Sequence, residues 1–422
     1  MDLLSVFQEV WALRALIASS MVGIMCGALG AFIVLRNMSL IGDALSHAIL
    51  PGVVVAFLVV GYSTLGFFVG SVIAGLIAAI GITWIQRKVQ TKNDAAIGIV
   101  FTAMFSLGVI GISWVSKSGS GVHLDLKDFL FGNVLTVSDS DLILTASITA
   151  FVLLSIVALY RPLFLTTFQS VIAETMGISV SAIHYFLMLI LSFAVVASLQ
   201  TVGVILVVAM LITPASTALL LSSRLKTVIY LSAFLGWLAA IIGFTLAVIL
   251  DTTPGPAMAV SATAIYLIAA FGAPRKGLIA KWIARSSQQM KVEIEDLLKH
   301  ALKLHTRKTL SLSSISTASG FSSRKLRRYL KKLSDAGYIA ARHGEVALQP
   351  LGIEKATALI RAHRLWETYL AQQVGLTAEQ IHEDAEHYEH LLTADILDAV
   401  DEELGYPSQD PHGSPIPKRK SE

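Results

Sequence analysis

Long apolar runs recur along the chain at about 12–35, 44–60, 62–85, 94–115, 139–160, 181–198, 203–221, 228–249 and 256–272. A helix needs about 20 apolar residues to cross roughly 30 Å of hydrocarbon, and each run reaches or nearly reaches that length. The pattern predicts eight or nine membrane spans. The run 44–60 is short and holds Pro51 and Gly52, which predicts a broken or re-entrant helix. Irregular backbone at membrane depth is tolerated only where it is buried or lines a cavity, and in transporters it points to a binding site or path. From about Gln288 the pattern changes. KVEIEDLLKHALKLH places Ile294, Leu297, Leu298, Ala301 and Leu304 on one stripe of a surface helix. SLSSISTASG and FSSRKLRRYLKKLSDAGYI then read as helix, turn, helix, with Ser322 or Ser323 as cap and Gly337 as C-terminal stop. AARHGEVALQPLG reads as a small β wing.

Composition agrees with this division. Of 422 residues 55% are hydrophobic and 14% charged, and mean hydropathy is +0.70, a membrane-protein composition. Residues 1–285 carry 24 Asp, Glu, Lys and Arg, and residues 286–422 carry 37, so the boundary falls near Arg285. The net charge of +3 decides little about partners. A single cysteine, Cys26, excludes an internal disulfide framework and reads as a small core residue. The start, MDLLSVFQEVW, lacks the basic n-region of a cleavable signal. No G-x-x-x-x-G-K-[ST] motif occurs, so any ATP hydrolysis is expected on a separate polypeptide and the chain itself is not expected to be an enzyme. That absence also leaves open a secondary transporter driven by an ion gradient.

Basic links are expected on the cytoplasmic side. They are 86–93 with Arg87, Lys88 and Lys92, the link with Arg224 and Lys226, and the stretch with Arg275, Lys276, Lys281 and Arg285. Loop 117–138, with Asp125 and Asp128, and loop 251–255, DTTPG, are expected outside. The tail is then cytoplasmic, and the N-terminus is external if nine spans are real. The chain is expected as a multi-pass protein of the inner or plasma membrane.

Within the apolar sequence, LRNMSLIGDALSHAILPG (Leu35–Gly52) carries Asp43 and His47 four residues apart, on one helical face. Ionisable groups inside a bilayer usually line a polar path, and carboxylate plus imidazole suits manganese, iron or zinc. The same pair also fits a helix end in the headgroup zone, with Asp43 capping and His47 snorkelling. RPLFLTTFQSVIAETMGISV (161–180) carries Ala173, Glu174 and Gly177 in a short helical stretch between spans, suited either to docking a partner or to a plain linker. His123 and Asp125 in the outer loop could meet a metal-delivery protein or be solvated. His184 reads as interfacial, and Gln200 as a pore residue or a connector.

In the tail, the second helix of the helix-turn-helix presents Arg324, Lys325, Arg327, Arg328, Lys331 and Lys332. A basic recognition helix favours a phosphate backbone and the major groove. The alternatives are a solvated face and one lying on anionic lipid. Beyond it, His363 and Glu367 stand i, i+4, and HEDAEHYEHLL supplies His382, Glu386, Glu389 and His390. If that segment is helical, Glu386, Glu389 and His390 share a side. Three histidines within nine residues favour a metal site over a solvated acidic helix, and mixed oxygen and nitrogen donors suit manganese or ferrous iron.

These stretches carry two resemblances. RNMSLIGDALSHAILPGV, NDAAIGIVFTAMFSLGV (Asn93–Val109) and SLQTVGVILVVAMLITPASTA (Ser198–Ala218) closely resemble permease subunits of zinc, manganese and iron ABC importers. That implies an all-α polytopic permease over residues 1–275, with Asp43 and His47 on the metal path and Ala173, Glu174 and Gly177 in a coupling helix. It also implies an ATPase subunit, an extracytoplasmic metal-binding protein, and a second permease copy. After a linker at 276–289, residues 290–417 resemble the diphtheria-toxin-repressor and manganese-transport-regulator family, including the phrase GYPSQDPHGSPIP (Gly405–Pro417). This implies a winged helix-turn-helix domain at 290–352 and a helical metal-binding and dimerisation domain at 353–417. The implied primary site is Asp296, Glu386, Glu389 and His390, and the second is His363, Glu367 and His382. Glu386 stands where iron-responsive members carry Cys, which implies manganese as regulatory ligand. Lys299 stands where manganese regulators carry a carboxylate, which puts a two-ion site in doubt. The SH3-like domain of some members is not expected. The tail is then either a metal-dependent transcription regulator, tethered or released, or a sensor that restrains transport.

Overall fold

The computed structural model describes residues 9–418 apart from 62, 90, 118–136, 305–309, 343–344, 375–380, 382–384 and 387. It divides into two compact units, Met1–Lys281 and Trp282–Glu422.

In the first unit, nine helices among the described residues are long and apolar enough to cross a membrane. They are α1 (Val10–Leu35), the broken pair α2 (Ile41–Ala48) and α3 (Leu50–Val60), α4 (Thr64–Trp84), α5 (Asn93–Lys117), α6 (Asp139–Ala158), α9 (Val180–Val202), α10 (Val204–Leu221), α11 (Leu225–Ile249) and α12 (Pro254–Gly272). The predicted break is present. The helix is interrupted at Ile49, and Pro51, which has no N–H to give, opens the second half. Between α6 and α9 lie two short helices, α7 (Tyr160–Phe168) and α8 (Ser170–Thr175).

The bundle closes through small residues. A Cβ added to Gly23 would stand 2.5 Å from the Gly236 carbonyl oxygen, and one on Gly236 would stand 2.1 Å from that of Gly23, so α1 and α11 touch backbone to backbone. Such contact matters in lipid, where association rests on packing rather than on water exclusion. Nearby, Ser232 Oγ donates to Gly27 O at 2.5 Å. The turn from α9 to α10 is the single residue Gly203, at φ +80°, a conformation that favours glycine.

Polar contacts show which span ends share a face. Arg14 at the start of α1 pairs with Asp139 at the start of α6, at 2.7 Å. Arg36, at the end of α1, donates to Thr166 and Thr167 of α7 at 2.6 and 3.1 Å. His184, at the start of α9, lies 3.2 Å from Thr83 Oγ1 near the end of α4. Lys226, opening α11, sits over the Tyr160 ring at 5.5 Å, and Lys276 donates to Leu219 O at the end of α10. Each contact joins ends that an alternating in-and-out course brings to the same face. Arg36, Lys226 and Lys276 therefore lie on one face, from which the chain leaves this unit.

The chain continues through α13 (Leu278–Leu304), a longer helix than the stripe alone predicts. The second unit then holds β1 (Leu310–Ser311), α14 (Leu312–Ser319), α15 (Ser323–Asp335), β2 (Ile339–Arg342), β3 (Glu345–Leu348), α16 (Pro350–Tyr369) and α17 (Ala394–Glu403). The strands form an antiparallel sheet in the order β1-β3-β2, with Val346 opposite both Leu310 and Ala341. This is the winged helix-turn-helix that the sequence predicts, with β1 added. Its core is Leu297, Leu298, Ile315, Leu326, Leu330, Leu333, Ile339 and Val346. Gly337, at φ +75°, ends α15 as expected. A second small core joins Ala362 and Leu365 of α16 to Leu397 and Val400 of α17.

Candidate functional site

In the membrane unit, α2 carries Asp43 in its first turn and His47 in its last, next to the break at Ile49. His47 Nε2 lies 3.6 Å from Asp43 Oδ1, too far for a direct hydrogen bond. The His47 side chain is 19% exposed and that of Asp43 49% exposed, so the pair is reachable from outside this subunit's core. The intervening Ser46 is buried and spends its hydroxyl on Gly42 O at 2.8 Å. Phe101 and Phe105 of α5 wall the imidazole, with ring centroids at 5.5 and 5.4 Å. Sequence reasoning missed both, although their i, i+4 spacing within Asn93–Val109 puts them on one face. The structure thus presents one carboxylate and one imidazole on an aromatic-walled surface beside a helix break. That arrangement can exchange oxygen and nitrogen ligands with a partly dehydrated cation.

Elsewhere in this unit, Ala173 is fully buried and Glu174 exposed in α8, and Gly177 closes that helix at φ +78°. Gln200 lies within α9, and its Oε1 is buried with no hydrogen-bond partner among the described residues. His123, Asp125 and Asp128 fall outside the described residues.

In the second unit, α13 supplies Asp296, and a turn at Glu389–His390 brings two more donors to it. Asp296, Glu389 and His390 can each offer one ligand atom within 4.8 Å of the others. His390 Nε2 is 3.2 Å from both Asp296 Oδ1 and Glu389 Oε1. Asp296 Oδ1, Glu389 Oε2 and His390 Nε2 are buried, and the groups they face belong to the same cluster: His390 Nε2 faces Asp296 Oδ1, and Glu389 Oε2 lies 2.7 Å from His363 Nδ1. The donor set therefore fits a divalent transition metal. Glu295, which sequence reasoning passed over, accepts from His390 Nδ1 at 2.8 Å, leaving Nε2 for the cluster. Its only signal in the sequence is its place beside Asp296.

His363 joins the two ligand groups that the resemblance separates. Its Nε2 lies 3.1 Å from Glu367 and its Nδ1 2.7 Å from Glu389 Oε2. Glu386 is exposed and does not join the cluster. Helical residues 385, 386 and 388 give way to a turn over 389–391, so i, i+3 spacing no longer sets a common side. His382 lies outside the described residues. On α15, Arg324, Arg327, Arg328, Lys331 and Lys332 are exposed, while Lys325 pairs with Glu293 at 2.7 Å and rests on the Phe321 ring at 4.7 Å.

Burial opposes charge on both imidazoles, but their carboxylate partners prevail. Asp296 and Glu295 push His390 up to about 9, and Glu367 and Glu389 push His363 up to about 9. Asp296 and Glu295, despite burial, are held below the ordinary carboxylate range by His390 together with Lys299 and Lys355. The metal-free tail thus holds protons on both rings at neutral pH, and ligation by His390 requires its loss. Binding should release about one proton per ion. Calorimetry in two buffers of different ionisation heat reads that number. The sign is fixed. The raised value stabilises the metal-free fold fully below 6.5, and that stability is lost as pH rises through about 9. Raising the pH over that window should weaken the metal-free tail and tighten its metal binding. A flat affinity would show that neither ring ligates.

Comparison with known proteins agrees with the architecture. The ABC 3 transport family pattern matches residues 8–273, and the iron dependent repressor metal-binding and dimerisation domain matches residues 349–418. A manganese transport system membrane protein of Halalkalibacterium halodurans is 48% identical over 278 residues, 66% of this chain and 92% of that protein. One from Bacillus subtilis is 34% identical over 380 residues, 87% of this chain and 86% of its own, so the likeness extends into the tail. The solved PsaBC from Streptococcus pneumoniae, in complex with Fab, superposes with a TM-score of 0.58 at 40% identity, covering 65% of this chain and 96% of that one. This chain belongs to the ABC 3 transport family, as a multi-pass permease joined to an iron-dependent-repressor-type metal-binding and dimerisation domain.

Proposed function

We propose that this chain is the permease subunit of an importer of manganese, with the tail as a cytoplasmic, metal-responsive winged-helix unit. The observation that carries the transport reading is the Asp43–His47 pair on the broken helix, walled by Phe101 and Phe105. Carboxylate and imidazole can take over ligands from a cation losing its water, and the exposed side of Asp43 leaves room for a second copy of the permease to complete the path. Manganese is favoured because the relatives reported above are manganese transport proteins by name, while the donor set alone would also accept iron or zinc. A separate ATPase supplies the energy. It is expected to dock where α7 and α8 end in exposed Phe168, Val171, Ile172 and Met176, beside Glu174. An extracytoplasmic binding protein delivers the metal to the opposite face. The face with Arg36, Lys226 and Lys276 is the cytoplasmic one by its positive charge, and the tail leaves from it. Expression with its ATPase and binding-protein partners in cells lacking other manganese importers tests the reading. Manganese accumulation supports it, and accumulation of only iron or zinc would reassign the cargo.

The tail is read as a DNA-binding unit because α15 keeps Arg324, Arg327, Arg328 and Lys331 exposed in a winged-helix frame. When bound, a metal ion would hold Asp296, Glu389 and His390 together. Replacing Arg327 and Arg328 with alanine in the full chain, held in detergent micelles, should weaken binding to DNA upstream of its own gene. It should also lower the salt slope by about one for each lost phosphate contact. Retained metal binding without any DNA binding would instead assign the tail to direct control of transport.

A further inference from the structure

Beside the three candidate ligands of the tail stands a buried lysine. Lys299 lies one turn after Asp296 on α13, and its side chain is 7% exposed. Its ammonium pairs with Glu389 Oε1 and lies 3.5 Å from Asp296 Oδ1. These are the two oxygens that stand 3.2 Å from His390 Nε2. The lysine and an ion held by the three donors would therefore draw on the same atoms.

The wider network shows which charged groups surround these atoms. The contacts run Glu367, His363, Glu389, Lys299, Asp296, His390, Glu295, Lys355, with a carboxylate and a nitrogen group alternating at every step. Four carboxylates meet two lysines and two imidazoles. Without Lys299, Asp296 and Glu389 would share only the imidazoles. An unpaired buried charge is costly, so a resident cation preorganises the ligands while no metal is present.

We propose that the Lys299 ammonium is a built-in competitor for a divalent cation at the Asp296–Glu389–His390 cluster, setting the metal concentration to which the tail responds. The proposal rests on reading the tail as a metal site. Lysine suits this role because its flexible stem can withdraw a compact charge that a rigid guanidinium fork would anchor more firmly. For Asp296 and Glu389 to ligate, Lys299 must release both oxygens. Any ammonium left within about 4 Å of a dication repels it, even at moderate dielectric.

The test uses the full chain in detergent micelles, in an Asp43→Ala, His47→Ala background so that the transport pair does not contribute. Manganese(II) is titrated and the free ion is counted by electron paramagnetic resonance. Lys299→Met should bind manganese roughly tenfold more tightly or better, since a competing cation is gone. Lys299→Gln, which keeps a polar end for Glu389, should shift affinity the same way, and Lys299→Arg should bind no more tightly than the parent. Thermal melting of each variant establishes that the tail is folded. Equal or weaker binding by folded Lys299→Met and Lys299→Gln overturns the proposal and leaves Lys299 a structural ion-pair member. Glu389→Gln with His390→Ala separates the two failures. If that variant binds as well as the parent, or if neither parent nor Lys299→Met binds, the tail is not a metal site and both readings fall.

Discussion

Cells carrying the Asp43→Ala, His47→Ala permease should take up manganese no faster than cells without the transporter. The expected loss is complete because nothing else on α2 can replace the pair. Ser46 is tied to its own backbone, Gly42 has no side chain, and Ile41, Leu45 and Ile49 are buried apolar groups. The facing wall is aromatic at Phe101 and Phe105. A divalent cation that has shed water against such a surface has no oxygen or nitrogen to take its place, and that desolvation raises the barrier. Folding should be spared. Asp43 is half exposed, and the two side chains stand 3.6 Å apart without a hydrogen bond, so their removal breaks no buried polar contact. Membrane abundance and assembly with the ATPase should match the parent, and uptake of isotopic manganese at matched abundance is the measurement. Undiminished uptake would take both residues out of the mechanism. His47→Ala alone should slow transport less than the double change, since Asp43 keeps the charge that attracts the ion.

The second large effect is on stability. Replacing Glu389 with alanine in the metal-free chain should destabilise the tail by about 3–5 kcal/mol, because truncating one member of a buried pair strands its partner. Three groups lose a partner here. Lys299, His363 and His390 all face Glu389, whose side chain is fully buried. With the carboxylate gone, Lys299 keeps only Asp296 and His363 only Glu367 among these carboxylates. Glu389→Met combined with Lys299→Met should recover much of the loss, since apolar replacement of a whole buried pair is often neutral or better. His363 keeps Glu367 as partner in that double variant. Denaturant unfolding, followed through the tail's Trp366, reports each value. A loss below about 1 kcal/mol for Glu389→Ala would mean that water reaches the cluster and screens it as it does surface pairs.

Much of this architecture was legible along the chain. Spans follow from apolar runs, because a bilayer imposes one length on every crossing helix. The break near Pro51 follows from a missing N–H, and the end of α15 follows from Gly337. Asp43 and His47 were visible as a pair because four residues on a helix make one face, a rule that needs no tertiary contact. The change in charge density places a boundary near Arg285, and the structure divides after Lys281.

The tail site was only half legible. Spacing brings Glu389 and His390 together, but the same rule also enlists Glu386, and the turn over 389–391 defeats it. Asp296 enters from a helix 93 residues earlier than Glu389, a distance in sequence that only packing of the second unit closes. The pairing of Glu295 with His390, the bridge through His363 and the insertion of Lys299 are all meetings of side chains from separate elements. The same holds for Phe101 and Phe105 against His47. Local periodicity determines which residues lie on a face of one helix, and it thereby determined the spans, the winged helix and the pairing of Asp43 with His47. Which faces meet depends on how volume and charge are satisfied across the whole unit, and for that reason tertiary structure alone brought Asp296 to Glu389 and His390 and placed a lysine among them.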